Sequence, residues 1–545
     1  MGQSDQNDET NVSEQLAAEV VIVGSGVAGA LCAYRLALAG VKVLVLEAGP
    51  RITRESVVQG FKSQPLLDLS AGYPNPHWAP RPDWGTGADP YIDQAGSTIL
   101  QMEYLRVVGG TTWQWSGSAL RLRPEDFGMY SRFRHGVDWP IAYDQLETDY
   151  AEAEKELGVS GDPAADTGLP RSTPFPLPPV PPSYAEKWVA ERLHSAGLSF
   201  TARPVARNSL PFDGRSQCAG FGTCSPICPT GAQYSAMVHV DKAQRLGVRV
   251  LENCRVERLH ADTSGKIRSV AFTRSNGSTG TAQGALFALA ANGIETPRLL
   301  LMSVSERYPH GLANSSGQVG RNFMDHPGLY VRMELPEAVY PGRGPITTRQ
   351  CLDYCQGSFR RSHAAWLMDT NNTLDLHSLT EEALSRGLWP PELDEFVRQR
   401  ARHQFQIDAH MEQLPHLDNR ITLDWARRDR AGQPRIRLNY SYGDYEKAGF
   451  EQIRGVFRSI SQTLGARSTH LSEPFAHHHL MGTTRMGFDP HRSVTDAHGR
   501  THDHGNLFLL GSSLFPTVGT ANPTLTIAAL TLRSARAMLR QLQSD

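Results

Sequence analysis

Residues 18–49 read AEVVIVGSGVAGALCAYRLALAGVKVLVLEAG, and this stretch decides the fold of the chain. An apolar run precedes Gly24-x-Gly26-x-x-Gly29, a stretch with helical spacing follows, and a second apolar run ends at Glu47. This order predicts strand, glycine-rich turn, helix and strand, which together form a right-handed βαβ unit of a parallel sheet. The glycines that interrupt the apolar residues disfavour a membrane span over the same stretch.

The residues of this turn have the pattern of a dinucleotide site. Glycines at positions 24, 26 and 29 allow a tight turn, close approach of the backbone to a pyrophosphate, and close helix–sheet contact. The positive end of the helix dipole would face the phosphates. Glu47 is expected to accept hydrogen bonds from a ribose, which disfavours a 2′-phosphate and hence NADP. These residues alone leave FAD and NAD as alternatives.

Length and charge limit the classes of protein that fit the chain. A chain of 545 residues exceeds what one hydrophobic core usually fills, so we expect two domains, or one large domain with a discontinuous partner. The 54 Lys and Arg nearly balance the 56 Asp and Glu, which does not favour nucleic acid as a partner. Residues 1–16 are polar, lack the features of a secretory signal, and are expected to form a disordered tail.

Periodicity predicts further elements along the chain. Helices are predicted over residues 144–157, 185–196, 237–246, 392–405, 445–465 and 524–543, with another beginning near Thr296 and Pro297. Residues 249–262 and 269–293 are predicted strands with an Asn-Gly turn in the second stretch. Residues 330–470 mix short alternating strands with helical stretches, and they are the candidate substrate domain.

Three cysteines form the most specific motif outside the N-terminal unit. Cys218, Cys224 and Cys228 have C-x5-C-x3-C spacing, with a proline directly after the third, in a loop rich in glycine and proline. Similar C-x3-C-P runs hold iron–sulfur clusters in ferredoxins, and three thiolates favour a 3Fe-4S cluster, although a distant fourth ligand could complete a cubane. A zinc site and three inert thiols stay open as alternatives. Cys351 and Cys355, with no third thiol nearby, are expected to be inert.

Six segments in the same order resemble the glucose-methanol-choline (GMC) oxidoreductases, flavoenzymes that oxidise alcohols and sugars. They are GSGVAGA with LEAGP (24–50), VVGGTTWQWSG (107–117), ALAANGIETPRLLL (288–301), VGRNFMDHPG (319–328), EQLPHLDNRITL (412–423) and GSSLFPTVGTANPTLTIAAL (511–530). The resemblance implies an α/β fold, in which a Rossmann-like FAD-binding domain accompanies a discontinuous α+β substrate-binding domain on a mainly antiparallel sheet. The FAD-binding domain would consist of residues 17–329, which include a cysteine loop at 204–243, and of residues 471–545. The substrate-binding domain would consist mainly of residues 330–470.

The resemblance also implies FAD rather than NAD, and it assigns flavin contacts to further residues. Those contacts are Gly109, Gly110 and Thr111 along the flavin, Val256 near the adenine, and Asn522, Pro523 and Thr524 on the pyrimidine side of the isoalloxazine. Some relatives attach FAD covalently through a histidine at the position of Gln114 here. Because a carboxamide cannot form that bond, we expect non-covalent FAD.

Oxidation of a hydroxyl group requires a base for the O–H proton while hydride leaves the carbon, and histidine suits this task near neutral pH. In the sequence HHHLMGTTRMG, His479 matches the family's catalytic histidine and Asn522 its partner, which would hold the substrate oxygen. Without the resemblance, three consecutive histidines would also fit a solvated loop. Relatives that oxidise free hexoses often carry asparagine where His478 stands, so the substrate and the roles of His477 and His478 stay open. His326 is expected to be structural or to lie near the flavin.

Residues 204–243 are similar to the cysteine loop of the catalytic large subunits of bacterial multi-subunit sugar dehydrogenases, which bind a 3Fe-4S cluster. This implies an FAD-dependent dehydrogenase of a sugar, glycoside or polyol that passes electrons through the cluster to a multihaem cytochrome c subunit. A small subunit exported by the Tat route would carry the chain to the periplasmic face of the inner membrane; without it the chain would be cytoplasmic. The alternatives are a sugar oxidase with a structural cysteine loop and a non-catalytic electron-transfer subunit.

Overall fold

A computed structural model describes residues 14–64, 72–82, 91–165 and 168–544. The helices of the described part are α1 Val27–Leu38, α2 Arg54–Lys62, α3 Met129–Phe133, α4 Tyr143–Leu157, α5 Tyr184–Ser195, α6 Met237–Arg245, α7 Asn292–Met302, α8 Leu376–Ser385, α9 Glu392–Ala401, α10 Asp444–Thr463 and α11 Thr524–Ser544. Within these residues, no helix combines the length and the apolar character needed to cross a membrane.

The strands of the same residues are β1 Glu14–Ala17, β2 Val20–Val23, β3 Val43–Leu46, β4 Ile92–Ala95, β5 Phe200–Ala202, β6 Arg249–Leu251, β7 Cys254–Ala261, β8 Ile267–Arg274, β9 Thr279–Gln283, β10 Leu286–Leu289, β11 Pro327–Glu334, β12 Arg349–Cys351, β13 Trp366–Asn371, β14 Gln404–Met411, β15 Arg420–Arg428, β16 Pro434–Asn439, β17 Ser468–Leu471, β18 Phe475–Ala476 and β19 Leu507–Leu509. They form four separate sheets.

The predicted βαβ unit is confirmed as β2, α1 and β3. These strands belong to a five-stranded parallel sheet of order β19-β10-β2-β3-β6. All residues of β2, β3 and β10 are buried, which explains their continuous apolar sequences, since a parallel sheet is covered on both faces. Helices α6 and α11 both contact α1. The carboxyl ends of these strands meet at one edge, where open parallel sheets bind ligands.

A four-stranded sheet of order β1-β9-β8-β7 includes part of the chain that was expected to be a tail. Strand β1 pairs in parallel with β9, and Glu14 forms an ion pair with Arg274 at 2.7 Å. The prediction of disorder up to residue 16 is therefore wrong for residues 14–16, while residues 1–13 lie outside the described part. The predicted Asn-Gly turn is confirmed between β8 and β9.

The third sheet is antiparallel, of order β17-β11-β14-β13-β12-β5, with β18 also pairing β11. Helix α10 covers it, and Ile453 and Phe457 of this helix share a buried apolar cluster with Val331 and Ile407 of the strands. The mainly antiparallel sheet is thus confirmed. Residues 330–470 supply most of it, but β5 and β18 come from outside this range. The division into a cofactor domain and a substrate domain stays a prediction.

The remaining predicted helices are present, with two differences. The helix predicted over residues 392–405 ends at Ala401 as α9, because residues 404 and 405 pair with β11 as the start of β14. Helix α7 begins at Asn292, earlier than the predicted start near Thr296 and Pro297. The Asn292 side chain accepts hydrogen bonds from the N–H groups of residues 294 and 295. Proline at position 297 cannot bond to the carbonyl of Gly293, which accepts the Thr483 hydroxyl instead. A partner distant in sequence therefore allows the helix to include its proline.

Candidate active site

A cavity of about 700 Å³ lies at the carboxyl ends of four of the parallel strands. Residues 23–28, 46–48, 290–292 and 510–512, which end or follow β2, β3, β10 and β19, line one side of it. Its lining includes the predicted site residues Gly24, Gly26, Glu47, Gly110, Thr111, Val256, His479, Asn522, Pro523 and Thr524. Gly29 and Gly109 do not line the cavity. Gly29 packs against the backbone of Gly24, and the N–H of Gly109 donates to Ser25.

Close backbone packing in the first turn requires glycine at positions 24 and 29, whereas Gly26 faces open space. Gly24 has φ +98°, and a Cβ there would lie 2.6 Å from the carbonyl oxygen of Ala290. A Cβ on Gly29 would lie 2.0 Å from the carbonyl oxygen of Gly24, so the turn could not close. Gly26, which caps α1 without a side-chain hydrogen bond, faces open space in the cavity. This arrangement leaves room for a pyrophosphate against the helix N-terminus.

Glu47 ties the turn to the next loop. The backbone N–H and the hydroxyl of Ser25 donate to Oε2 of Glu47 at 2.9 and 2.7 Å, and the N–H of Gly49 donates to its Oε1 at 3.0 Å. The N–H of Gly109 in turn donates to Ser25 Oγ at 3.1 Å. The buried carboxylate therefore orders the phosphate-binding turn, and its contact with a ribose stays a prediction.

Other features of the cavity fit a flavin dinucleotide. Gln114 lines the cavity, and its buried Oε1 has no hydrogen-bond partner among the described residues. Helix α11 begins at Thr524, directly after Asn522 and Pro523, so its N-terminus points a partial positive charge at the cavity. An unsatisfied acceptor and a helix N-terminus are groups that a polar heterocycle can bind.

His479 and Asn522 meet inside this cavity. His479 follows β18, and its Nε2 lies 3.4 Å from Nδ2 of Asn522. The backbone N–H of His479 donates to Oδ1 of the buried Asp325 at 2.9 Å, which fixes the segment. Both side chains line the cavity, so a hydroxyl group placed there can contact a ring nitrogen and an amide at once.

His326 determines which nitrogen of His479 is free of a proton. Nε2 of His326 lies 3.0 Å from the carbonyl oxygen of Gly519, which can only accept, so this nitrogen carries the proton. In the neutral ring Nδ1 is then an acceptor, and it lies 2.8 Å from Nδ1 of His479. His479 must therefore donate from Nδ1 and keep Nε2 unprotonated toward Asn522. The sequence marks this histidine only through the segment MDHPG.

Burial keeps this group of histidines neutral. Burial lowers the pKa of His479 well below its usual value, and His326 and His477 lower it further. Burial also lowers the pKa of His326 to about 4 and that of His477 to about 3. His478 lines the cavity, and its Nδ1 accepts the N–H of Glu103 at 3.1 Å. At neutral pH, His479 is thus an unprotonated imidazole.

Arg203 connects Asn522, and through it His479, to the antiparallel sheet, and the sequence had not indicated it. Its Nη2 donates to Oδ1 of Asn522 at 2.8 Å, and its Nε donates to Ser118 Oγ at 3.0 Å. Its Nη1 forms an ion pair with Asp369 of β13. Because its carboxamide oxygen is held by Arg203, Asn522 turns its NH₂ group toward His479.

The three cysteines lie in a separate small hollow. Cys218, Cys224 and Cys228 all line a space of about 10 Å³ with Gly220 and Gly222. Burial alone would raise the pKa of Cys228, but hydrogen bonds from Gln233 and Thr230 and the charge of Arg54 lower it. Within the described ranges, no three His, Cys, Asp or Glu residues are grouped to hold a metal ion. The structure therefore shows neither a zinc site nor a cluster.

The cysteine loop also touches the main cavity. Ser225, the residue after Cys224, lines that cavity. Nε2 of Gln233 donates to the carbonyl oxygens of Cys224, at 3.3 Å, and of Trp115, which lines the cavity as well. A group held by the three thiols would therefore lie close to one bound in the cavity.

Cys351 and Cys355 are core thiols. Both are buried, and burial raises the pKa of Cys351 and raises that of Cys355 to about 12. Cys355 donates to the carbonyl oxygen of Trp366 at 3.5 Å. Thiols that stay protonated are poor metal ligands, which agrees with the prediction that they are inert.

Models of protein families match three parts of the chain, which contain most of the segments that resemble the GMC oxidoreductases. Two models described as GMC oxidoreductase match residues 187–328 and 415–531. A model described as an NAD(P)-binding Rossmann-like domain matches residues 22–70, which contain the glycine-rich turn.

Individual relatives match nearly the whole chain. It is 37% identical to the fructose dehydrogenase large subunit of Gluconobacter japonicus, over 97% of this chain and 99% of that protein. It is 30% identical to the 6'''-hydroxyparomomycin C oxidase of Streptomyces lividus, over 97% and 92%. The solved structure of pyridoxine 4-oxidase from Mesorbium loti superimposes with a TM-score of 0.62 at 18% identity, covering 96% and 99%, and at this identity it shows the fold alone.

Proposed function

This chain belongs to the GMC oxidoreductase family, and on that premise we propose that it is an FAD-dependent dehydrogenase of a sugar, glycoside or polyol hydroxyl group. Family membership makes it an enzyme that acts on CH–OH donors. The observation that carries the proposal is the unprotonated Nε2 of His479 beside the NH₂ group of Asn522 in the cavity. A pure electron carrier would need no such base.

The chemistry divides between the cofactor and the chain. FAD, when bound by the turn at residues 24–29 and the N-terminus of α11, supplies the acceptor for a hydride. His479 Nε2 accepts the O–H proton of the substrate, while Nδ2 of Asn522 donates to the same oxygen. After proton transfer, Nδ1–H of His479 still donates to His326, so the imidazolium keeps its orientation.

We extend the proposal to a 3Fe-4S cluster that Cys218, Cys224 and Cys228 would hold and that would supply a one-electron acceptor. The spacing of the three cysteines and the contact of their loop with the main cavity support this assignment, although the thiols of the described structure are not grouped as metal ligands. The name of the Gluconobacter relative states that it is a large subunit. We therefore propose a small Tat-exported subunit and a multihaem cytochrome c subunit as partners, with the complex at the periplasmic face of the inner membrane.

The second candidate is a sugar oxidase, favoured by the Streptomyces relative, which is named an oxidase. An oxidase would form hydrogen peroxide in proportion to the sugar consumed, whereas a dehydrogenase would reduce an artificial dye and form little peroxide. Measuring both products with one sugar under air separates the two candidates.

The catalytic assignment is tested by His479→Ala. Loss of the base should lower sugar-dependent flavin reduction by about 100-fold or more, while FAD stays bound. His491→Ala replaces an exposed histidine and serves as the matched control, with wild-type rates expected. Unchanged flavin reduction in His479→Ala would remove His479 from the mechanism.

The cluster is tested by iron and inorganic sulfide analysis of protein purified without oxygen. A 3Fe-4S cluster predicts about three iron and four sulfide per chain, and Cys224→Ser should lower both while FAD content stays the same. Wild-type protein with bound FAD but neither iron nor sulfide would contradict the cluster and leave the hydride chemistry intact.

A further inference from the structure

Two carboxylates face each other in the wall of the cavity. Asp369 of β13 and Asp408 of β14 are directly paired across these antiparallel strands, and both line the cavity. Like charges opposite each other destabilise a sheet, and burial further raises the pKa of both groups. The fold thus keeps an unfavourable pair on two central strands of the sheet, where both side chains line the cavity that holds His479 and Asn522.

The neighbours of these carboxylates leave acceptor capacity toward the cavity. Oδ1 and Oδ2 of Asp408 accept from Gln406 Nε2 and Asn371 Nδ2, each at 2.7 Å. Among the described residues, Asp369 accepts a hydrogen bond from Arg203 alone, through Oδ2. Because each carboxylate oxygen can accept about two hydrogen bonds, both groups can still bind donors of a ligand.

The pair lies next to the reacting atoms. Arg203 contacts Asp369 with one end of its guanidinium and Asn522 with the other, and Asn522 contacts His479. Each of the three nitrogens of Arg203 already donates to the protein, since Nε binds Ser118. The guanidinium keeps two of its five N–H donors, but the ion pair with Asp369 offsets its charge, so it adds no net positive charge for an anionic substrate.

We propose that Asp369 and Asp408 bind two hydroxyl groups of a neutral carbohydrate next to the carbon that is oxidised, and that they exclude sugar acids. Hydroxyl groups donate to both carboxylates, whereas a carboxylate on the substrate would meet two groups of its own sign. This inference rests on the proposed function, because it assigns the substrate class of the same site.

The experiment measures dye reduction by the holoenzyme with fructose, sorbitol, methyl glucoside and gluconate. At least one neutral compound should be oxidised, with kcat/KM at least about 10-fold above that of gluconate. Asp408→Asn should raise KM for the best neutral substrate about 10- to 100-fold and change kcat less than about 3-fold. The same variant should narrow the difference in kcat/KM between that substrate and gluconate. Asp394→Asn, at an exposed carboxylate on α9, is the matched control and should leave both constants unchanged.

Several outcomes would overturn the inference: preference for gluconate, no oxidation of any neutral compound, or an unchanged KM in a folded Asp408→Asn enzyme. If Asp408→Asn fails to bind FAD, Asn371→Ala, which removes one donor to Asp408, replaces it and should raise KM in the same direction. Failure of the proposed function is recognised separately, because His479→Ala would then keep full activity. If His479→Ala loses activity while Asp408→Asn leaves KM unchanged, only the proposed role of the carboxylate pair is contradicted.

Discussion

At the scale of single residues, the contacts of His326 control the chemistry of the base. A backbone carbonyl on one side and His479 on the other fix the tautomers of both rings. His326 touches neither the cavity nor the substrate oxygen, so it is a positioning residue. A histidine whose second nitrogen is held in this way presents a defined lone pair to its target.

Replacement of His326 by leucine should therefore lower kcat about 10- to 100-fold with little change in KM. The acid limb of the pH profile should move to higher pH, because His326 lowers the pKa of His479 and its removal raises it again. His326→Gln is the matched variant, since its carboxamide can accept from His479 and donate to Gly519. Equal kcat and equal pH profiles for the leucine variant and wild type would contradict the positioning role.

The pH dependence of the wild-type enzyme follows from the same histidines. Because burial lowers the pKa of His479 well below 6.5, the base is unprotonated above that value and becomes protonated only in more acidic solution. The rate constant kcat/KM should thus stay level as pH falls toward 6.5 and decline below it. Burial raises the pKa of Asp369 to about 7, so a decline centred at about pH 7 would contradict the low pKa of His479 only if it persists in Asp369→Asn enzyme.

The sequence predicted some residues of the site and missed others for a physical reason. The glycines and His479 stand in short contiguous segments whose spacing carries the chemistry. Arg203 directly follows β5, whereas Asp369 and Asp408 lie on β13 and β14, more than a hundred residues later in the chain. Only tertiary contacts bring these three residues to Asn522. No local pattern could have shown that these polar residues face one cavity.

At the scale of elements, the turn between β2 and α1 is the most sensitive part of the cofactor site. A Cβ at Gly29 would collide with the carbonyl oxygen of Gly24 at 2.0 Å, so Gly29→Ala must move the helix away from the strand. We expect this variant to lose most of its FAD, measured as flavin absorbance after gel filtration. Gly455→Ala in α10 meets nothing within 4 Å and should keep FAD and raise stability by about 0.5–1 kcal/mol. Full FAD content in Gly29→Ala would contradict the close contact.

Elements with strong periodicity were predictable, and those held by distant partners were less so. The strands β2 and β3 and the helix α10 follow the expected spacings, because each buries its own apolar residues against a neighbouring layer. Strand β1 buries only Leu16 and is held by pairing with β9, in which Glu14 lies opposite Gly280. Its four residues carry too short a pattern to be distinguished from a tail.

At the scale of the whole molecule, one buried group of charges joins segments that are far apart in sequence. Arg360 is fully buried, forming ion pairs with Asp126, at 2.8 Å, and with Glu412, which directly follows β14. The hydroxyl of Tyr445 on α10 donates to Glu412 at 2.8 Å. Loss of one partner from such a group leaves buried charge unpaired, which costs about 3–5 kcal/mol.

Arg360→Met should therefore lower the free energy of unfolding by about 3–5 kcal/mol, because Asp126 and Glu412 would stay buried without their cation. Arg398→Met removes an exposed partner of Asp394 and should change the free energy by less than about 1 kcal/mol. Denaturant unfolding, followed by release of FAD and by circular dichroism, compares the two variants. If both variants unfold at the same denaturant concentration, the buried charges do not hold the antiparallel sheet against the segment at Asp126. If Arg360→Met releases FAD before its helices unfold, the contact between the antiparallel sheet and the segment at Asp126 opens before the rest of the molecule.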